Sequence, residues 1–219
     1  MRRVVIQTGG VFSSNDHASI GIGSLIIFIA MIVSAGVAAS VVFQTMDSMQ
    51  QQALQTSQDT IKDISSGIRL THVSGYVSNE SLSQLCFFVK TTAGSDAIDL
   101  SEIRLQLSDG NTLPILLYDN TSFSSTVSNG LFQTINMSNV TNTEFGILVI
   151  RDIDSSCASE NPVINKNDLV ALIVNTTSCF NGIPARTSIS GKIVPEQGVS
   201  ALIGFTTPSA LTDSIIDLS

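Results

Sequence analysis

Hydrophobic and polar positions divide this chain into two regimes. From Ala18 to Met46 no residue is charged, and Ile20–Phe43 is almost wholly apolar or small. That run exceeds the roughly 20 residues a helix needs to cross hydrocarbon and is too long for the apolar core of an ordinary secretory signal. After Asp47 the sequence turns polar but stays helix-friendly. Met46, Met49, Ala53, Ile61, Ile64 and Ile68 recur at mostly three- and four-residue spacings or their sums, leaving a weak apolar stripe. No proline occurs before Pro114. The pattern predicts one continuous helix from about Ser19 to Ser66, roughly 70 Å long, with Gly67 as its C-cap.

Beyond Leu85, short β-branched and aromatic runs alternate with Ser/Thr/Asn/Asp/Gly clusters. Leu85–Thr91, Glu102–Leu107, Leu113–Tyr118, Phe145–Asp152, Leu169–Asn175, Thr187–Val194 and Val199–Thr206 read as strands, punctuated by Asp109-Gly110, Asn129-Gly130 and Asn181-Gly182 turns. Strands of this length and spacing predict an antiparallel sandwich or small barrel. The polar stretch Asp119–Glu144 reads as a surface loop. The expected fold class is therefore α+β: a long N-terminal hydrophobic helix carrying an antiparallel β-sandwich or barrel head. The expected division is 1–17 as leader, 18–67 as polymerisation helix and 68–219 as head.

Composition narrows the function. Charged residues make up 13% and the formal net charge is −8. Apart from the Arg2-Arg3 pair, the ten basic residues are scattered singly along the sequence and predict no patch, so a phosphate-backbone partner is not expected. Five N-x-S/T sequons, at Asn79, Asn120, Asn136, Asn139 and Asn175, predict a glycosylated, extracellular head. Cys86 lies in an apolar strand and reads as a buried thiol. Cys157 and Cys179 lie in polar loops flanking one strand and are the candidates for an external disulfide. Without a CxxC spacing, a zinc site has no support.

Catalytic patterns are missing. The chain has two histidines and no HExxH, GxSxG or P-loop motif, and the Gly21-x-Gly23 pair opens a hydrophobic segment rather than following a strand. Asp152, Asp154 and Glu160 suggest a hard-cation loop, but acids so placed are usually only solvated. Neither an enzyme, a cofactor nor a metal is expected.

The run Ala18-Ser-Ile-Gly-Ile-Gly-Ser-Leu-Ile-Ile-Phe-Ile-Ala-Met, continuing into an alanine-rich stretch, closely resembles the opening of mature archaellins, the subunits of the archaeal flagellum. Gln50-Gln51-Gln52-Ala53, Ala97-Ile98-Asp99-Leu100-Ser101, Ile164–Val170, Ile193-Val194-Pro195-Glu196 and Phe205-Thr206-Thr207-Pro208 are similar to the family too. The resemblance implies a type IV pilin-like precursor in the membrane, trimmed by a prepilin-peptidase-like protease and polymerised into a helical homopolymer on a motor platform, alone or with paralogous archaellins. A non-motile pilin or adhesin is the alternative.

The family's leaders end in basic residues and a glycine. Here the matching cut is His17|Ala18, preceded by Asn15-Asp16; a cut after Gly9-Gly10 would leave Asp16 and His17 on the helix. Within the helix, Ala35, Gly36, Ala38 and Ala39 (with Ser34 and Ser40) are small enough for close helix–helix packing.

Overall fold

The computed structural model describes residues 16–218, with side chains from residue 20 onward. Helix α1 runs unbroken over Asp16–Ser65, 50 residues, or about 75 Å. Nothing in it breaks a helix: it contains no proline, and several of its hydroxyls are consumed locally. Ser24, Ser34, Ser40 and Thr45 each donate to the carbonyl three residues back. This back-bonding lets polar residues sit in an apolar environment without an unpaired donor.

By contact density the chain separates into two units, Met1–Ser57 and Gln58–Ser219. The last turns of α1 thus belong with the head. Gly67 is not a left-handed cap. It forms a bridge with Val199 and its amide donates to Ser95 Oγ. A Cβ there would lie 2.8 Å from the Val199 carbonyl, so the glycine serves close backbone approach.

The head holds strands β1 (Ile68–Ser78), β2 (Ser81–Thr91), β3 (Ile98–Asp99), β4 (Arg104–Ser108), β5 (Ile115–Ser124) and β6 (Glu144–Arg151). After these come β7 (Val163–Ile164), β8 (Leu169–Asn175), the short helix α2 (Thr176–Phe180), β9 (Ser188–Val194), β10 (Ala201–Thr206) and β11 (Ile215–Asp217). Nine strands form one sheet in the order β10-β9-β4-β5-β6-β8-β2-β1-β11. The sheet curls until Ile68 N–H donates to the Val199 carbonyl at 3.1 Å, beside β10, giving a small, partly open barrel. All pairings are antiparallel except β5–β6.

That parallel pair explains the long connection before β6. Parallel neighbours need a crossover of a dozen or more residues, and residues 125–143 supply it. Contrary to the sequence reading, this segment is not simply a surface loop. Residues 119–124 belong to β5, and Phe132, Ile135 and Val140 are buried against Cys86, Leu148, Ala171 and Ile173. The sheet is therefore covered on both faces here, which is why β8 reads Leu-Val-Ala-Leu-Ile-Val without alternation. The main core lies inside the curl, around Phe87, Phe145, Leu105, Leu116, Leu172 and Ile193.

β1 and β2 form a hairpin whose two-residue turn, Asn79-Glu80, has φ of 54° and 60°. Both residues are left-handed, as the favoured two-residue hairpin turn requires.

Candidate assembly surface

Every residue of α1 from Ile20 to Ser65 is exposed apart from the half-exposed Gly23. Ile27, Phe28, Ile32, Val37, Val42 and Phe43 are 56–66% accessible. The most apolar stretch of the helix has a mean hydropathy of 2.7. Monomeric soluble proteins rarely expose more than a few hundred Å² of contiguous apolar surface. This helix presents such a surface around its whole circumference over many turns. Ala35, Gly36, Ala38 and Ala39 lie in the middle of it, all exposed, and a Cβ on Gly36 would meet nothing within 4 Å. Ala35 and Ala39 are one turn apart and share a face.

The leader, residues 1–15, falls outside the described residues. His17 and Ala18 lie in the first turn of α1.

Four of the five sequons are exposed. Asn79 sits at the β1–β2 hairpin tip, Asn120 within β5, and Asn136 and Asn139 on the crossover segment. Asn175 is different, and the structure places it among the structural residues. It is the N-cap of α2, accepting from Ser178 N–H, while its Nδ2 donates to the Met137 carbonyl at 3.0 Å. Its amide ties α2 to the crossover, so it is not available as a free acceptor.

The expected Cys157–Cys179 disulfide does not form; all three cysteines are free thiols. Cys157 N–H donates to Asp152 just past β6, near the start of β8, whereas Cys179 lies in α2 beyond its end. A seven-residue strand spans about 20 Å, and bridged Cα atoms must be within about 7 Å. Flanking one strand is what keeps the two apart.

Burial pushes the Cys179 thiol up to about 11. Burial, with the Asp152 and Asp168 carboxylates adding to it, pushes Cys157 up to about 12. Unfolding returns both to the ordinary value of 9.0. The neutral thiols' contribution to stability is thus fully present below pH 9 and falls as pH rises through 11 and 12. Native protein at pH 8 should resist iodoacetamide at all three thiols, and urea-unfolded protein should take up three alkyl groups. Rapid labelling of native protein by intact mass would contradict this.

The acidic loop is reorganised relative to the sequence reading. Carboxylate oxygens of Asp152, Asp154 and Asp168 lie within 4.8 Å of one another, while Glu160 is elsewhere. Asp168 is 1% exposed and accepts from the Ile153 and Asn165 amides. Asp152 accepts from Ser156 and Cys157, and Asp154 from Asn165 Nδ2 at 2.6 Å. Hydrogen bonds, led by that from Ser156, hold the Asp154 carboxyl below its usual range. The trio offers hard oxygen ligands, and its hydrogen bonds pin the β6–β8 connection.

The basic residues are not scattered in space. Arg69, Lys90, Arg151 and Lys166, four of the ten, line one pocket. They come from four separate segments, so no run in the sequence announces them.

A β head joined to a long helix whose apolar side chains are exposed from Ile20 onward defines a surface-filament subunit rather than a self-contained monomer. The archaeal-type flagellin family matches residues 18–205. Flagellin B2 of Methanocaldococcus jannaschii is 36% identical over 211 residues, spanning 94% of this chain and 97% of that protein. Flagellin B4 of Pyrococcus abyssi is 40% identical over 207 residues, 87% and 93% of the two chains. The crystal structure of archaeal flagellin FlaB1 from M. jannaschii superposes with a TM-score of 0.64 at 31% identity, covering 70% of this chain and 96% of that one. The archaeal flagellum of Methanospirillum hungatei matches with a TM-score of 0.63 over 90% and 98%, at 17% identity, and so speaks for the fold alone.

The chain belongs to the archaeal-type flagellin family. It is a structural subunit of the motility filament on the archaeal cell surface, and the findings do not favour the non-motile pilin.

Proposed function

We propose that α1 serves twice, first as the membrane anchor of the precursor and then as the core strand of the filament. The observation that carries this reading is the complete exposure of its apolar surface in the subunit. In lipid that surface is held by about 25 cal/mol per Å² of apolar area withdrawn from water. On assembly it moves from lipid to neighbouring helices, so hydrophobicity changes little and close packing must supply the gain. The small residues at 34–40 suit that task. A heterologous contact that does not close generates a helical filament. In this reading the subunit works by packing and performs no catalysis.

Processing is read as cleavage between His17 and Ala18 by a prepilin-peptidase-like protease, followed by handover to a motor and assembly platform. Support for the position comes from the family match, which begins at Ala18. The filament is read as a homopolymer that can also admit paralogous flagellins; M. jannaschii, for instance, has relatives named flagellin B1, B2 and B3. The heads form the outer sheath, with the sugar acceptors drawn from the exposed sequons Asn79, Asn120, Asn136 and Asn139.

Intact-mass analysis of sheared filaments tests the processing step. A subunit beginning at Ala18 is expected, and Met1 or Val11 as the N-terminus of assembled subunits would sink the assignment. Glycopeptide mapping of the same material should find sugar on at least two of the four exposed asparagines and none on Asn175. Bare peptides throughout would refute the glycosylated sheath.

A further inference from the structure

Arg69, Lys90, Arg151 and Lys166 surround a pocket of about 460 Å³ at one end of the head. Arg69 and Lys90 stand directly opposite each other across the β1–β2 ladder, a like-charge pairing that destabilises a sheet. Among the described residues no ion pair offsets it: the close contacts between acidic and basic side chains, Lys62–Asp96 and His72–Asp217, do not involve these four. Arg151 Nε donates to the Asn167 carbonyl at 2.7 Å and Thr91 Oγ1 to the Asn165 carbonyl at 3.2 Å, which fixes the walls. The acid lining the pocket is Asp168, which is buried and occupied by the Ile153 and Asn165 amides; the Asp152 and Asp154 carboxylates lie within 4.8 Å of it and do not line the pocket.

At the other end of the same strand lies the opposite charge. Glu144 opens β6 and Arg151 closes it, a span of about 23 Å. Beside Glu144, Asp119 and Glu160 line a second pocket of about 440 Å³, with no lysine or arginine in its wall. The parallel register of Tyr118 with Phe145 is what brings Asp119 to the Glu144 end. The head is therefore polar along β6, basic at one end and acidic at the other.

We propose that the basic pocket of one head receives the Asp119/Glu144/Glu160 cluster of the head of a second copy, so that a head-to-tail electrostatic contact joins neighbouring subunits in the sheath. The two surfaces are different patches on one chain, so the contact is heterologous and repeats without closing. It rests on the filament-subunit reading but is separate from the helix packing. Desolvated charge pairs set register and suppress wrong partners, a role that the stretch of α1 from Ile20 to Met46, which carries no charge, cannot fill. Asn120 lines the acidic pocket, so in assembled filaments it should be the exposed sequon that stays bare.

Carbodiimide cross-linking of wild-type filaments tests the contact without any variant. It joins a lysine to a carboxylate only where they touch, and within one head the length of β6, about 23 Å, separates the basic end from Glu144. Peptides linking Lys90 or Lys166 to Asp119 or Glu144 are expected. Their absence in a sample with other inter-subunit links, or full glycan occupancy at Asn120, would overturn the proposal.

In cells, Arg69→Glu with Lys166→Glu should shorten filaments about tenfold or more, as a loss of one decade in contact affinity would. Glu144→Lys with Glu160→Lys should do the same, and the four changes together should restore length. Membrane levels should stay normal throughout, because α1 is untouched. Full-length filaments from either reversed pair would overturn the head contact while leaving helix-driven assembly standing. Short filaments without restoration in the combined variant would overturn it as well.

Discussion

Replacing Ala35 with Leu is expected to leave the protein in the membrane but to abolish or severely shorten its filaments. Insertion responds to hydrophobicity, which the change increases. Assembly responds to how closely helices approach, and Ala35 and Ala39 share one exposed face of α1. Overpacking a tight interface costs about 1–3 kcal/mol, and in a polymer that cost recurs at every subunit. Even the lower value is close to the 1.4 kcal/mol that corresponds to a tenfold change in affinity. Electron microscopy of cells beside a membrane-fraction blot reads both outcomes. A plain membrane anchor would be indifferent, and normal filaments at normal membrane levels would show that this face is not the packing surface.

The second large effect is expected in the head. Phe145 is fully buried, with its ring 6.2 Å from that of Tyr118, at the point where β5 and β6 pair in parallel. Truncation to alanine leaves a cavity in a layer closed by strands on both sides. Phe→Ala changes in such settings cost about 3–5 kcal/mol, and for a domain of this size that lowers the melting temperature by about 10 °C. Circular dichroism of the detergent-solubilised full chain should show the head unfolding earlier. Most of the α1 signal should persist, since the helix up to Ser57 lies outside the head unit and holds its own hydrogen bonds. A loss below about 1 kcal/mol would mean that the inside of the curl is not the main core.

The elements legible in the sequence were those with a strong local period. The uncharged run at 18–46 announces α1, and Leu169–Asn175 announces β8 because a strand buried on both faces is apolar throughout. β1 was missed. Its sequence Ile-Arg-Leu-Thr-His-Val-Ser-Gly-Tyr-Val-Ser follows the helix directly, and its buried positions, Ile68 and Val73–Gly75, are unevenly spaced around a bulge between Leu70 and His72. β3, β7 and β11 are two or three residues long and are specified by their partners, not by pattern.

The crossover segment hid its three core residues among polar ones, since Phe132, Ile135 and Val140 lack strand alternation and stand in an Asn/Ser/Thr-rich stretch. The cysteine pairing failed because spacing along the chain says nothing about which end of a strand a loop occupies. The basic pocket was invisible for a related reason: register, rather than sequence proximity, places Lys90 opposite Arg69. For the assembly surface the position is reversed. Exposure of α1 in the structure adds little to what its composition already demanded, namely a partner that is not water.

Electron cryo-microscopy of sheared, wild-type filaments decides whether α1 forms the core of the filament and the β head its outer layer. The expected map shows helices beginning at Ala18 packed around the axis, with residues 34–40 at the closest helix–helix approaches and the head facing solvent. A map with α1 exposed along the filament surface, or with heads rather than helices at the axis, would contradict it.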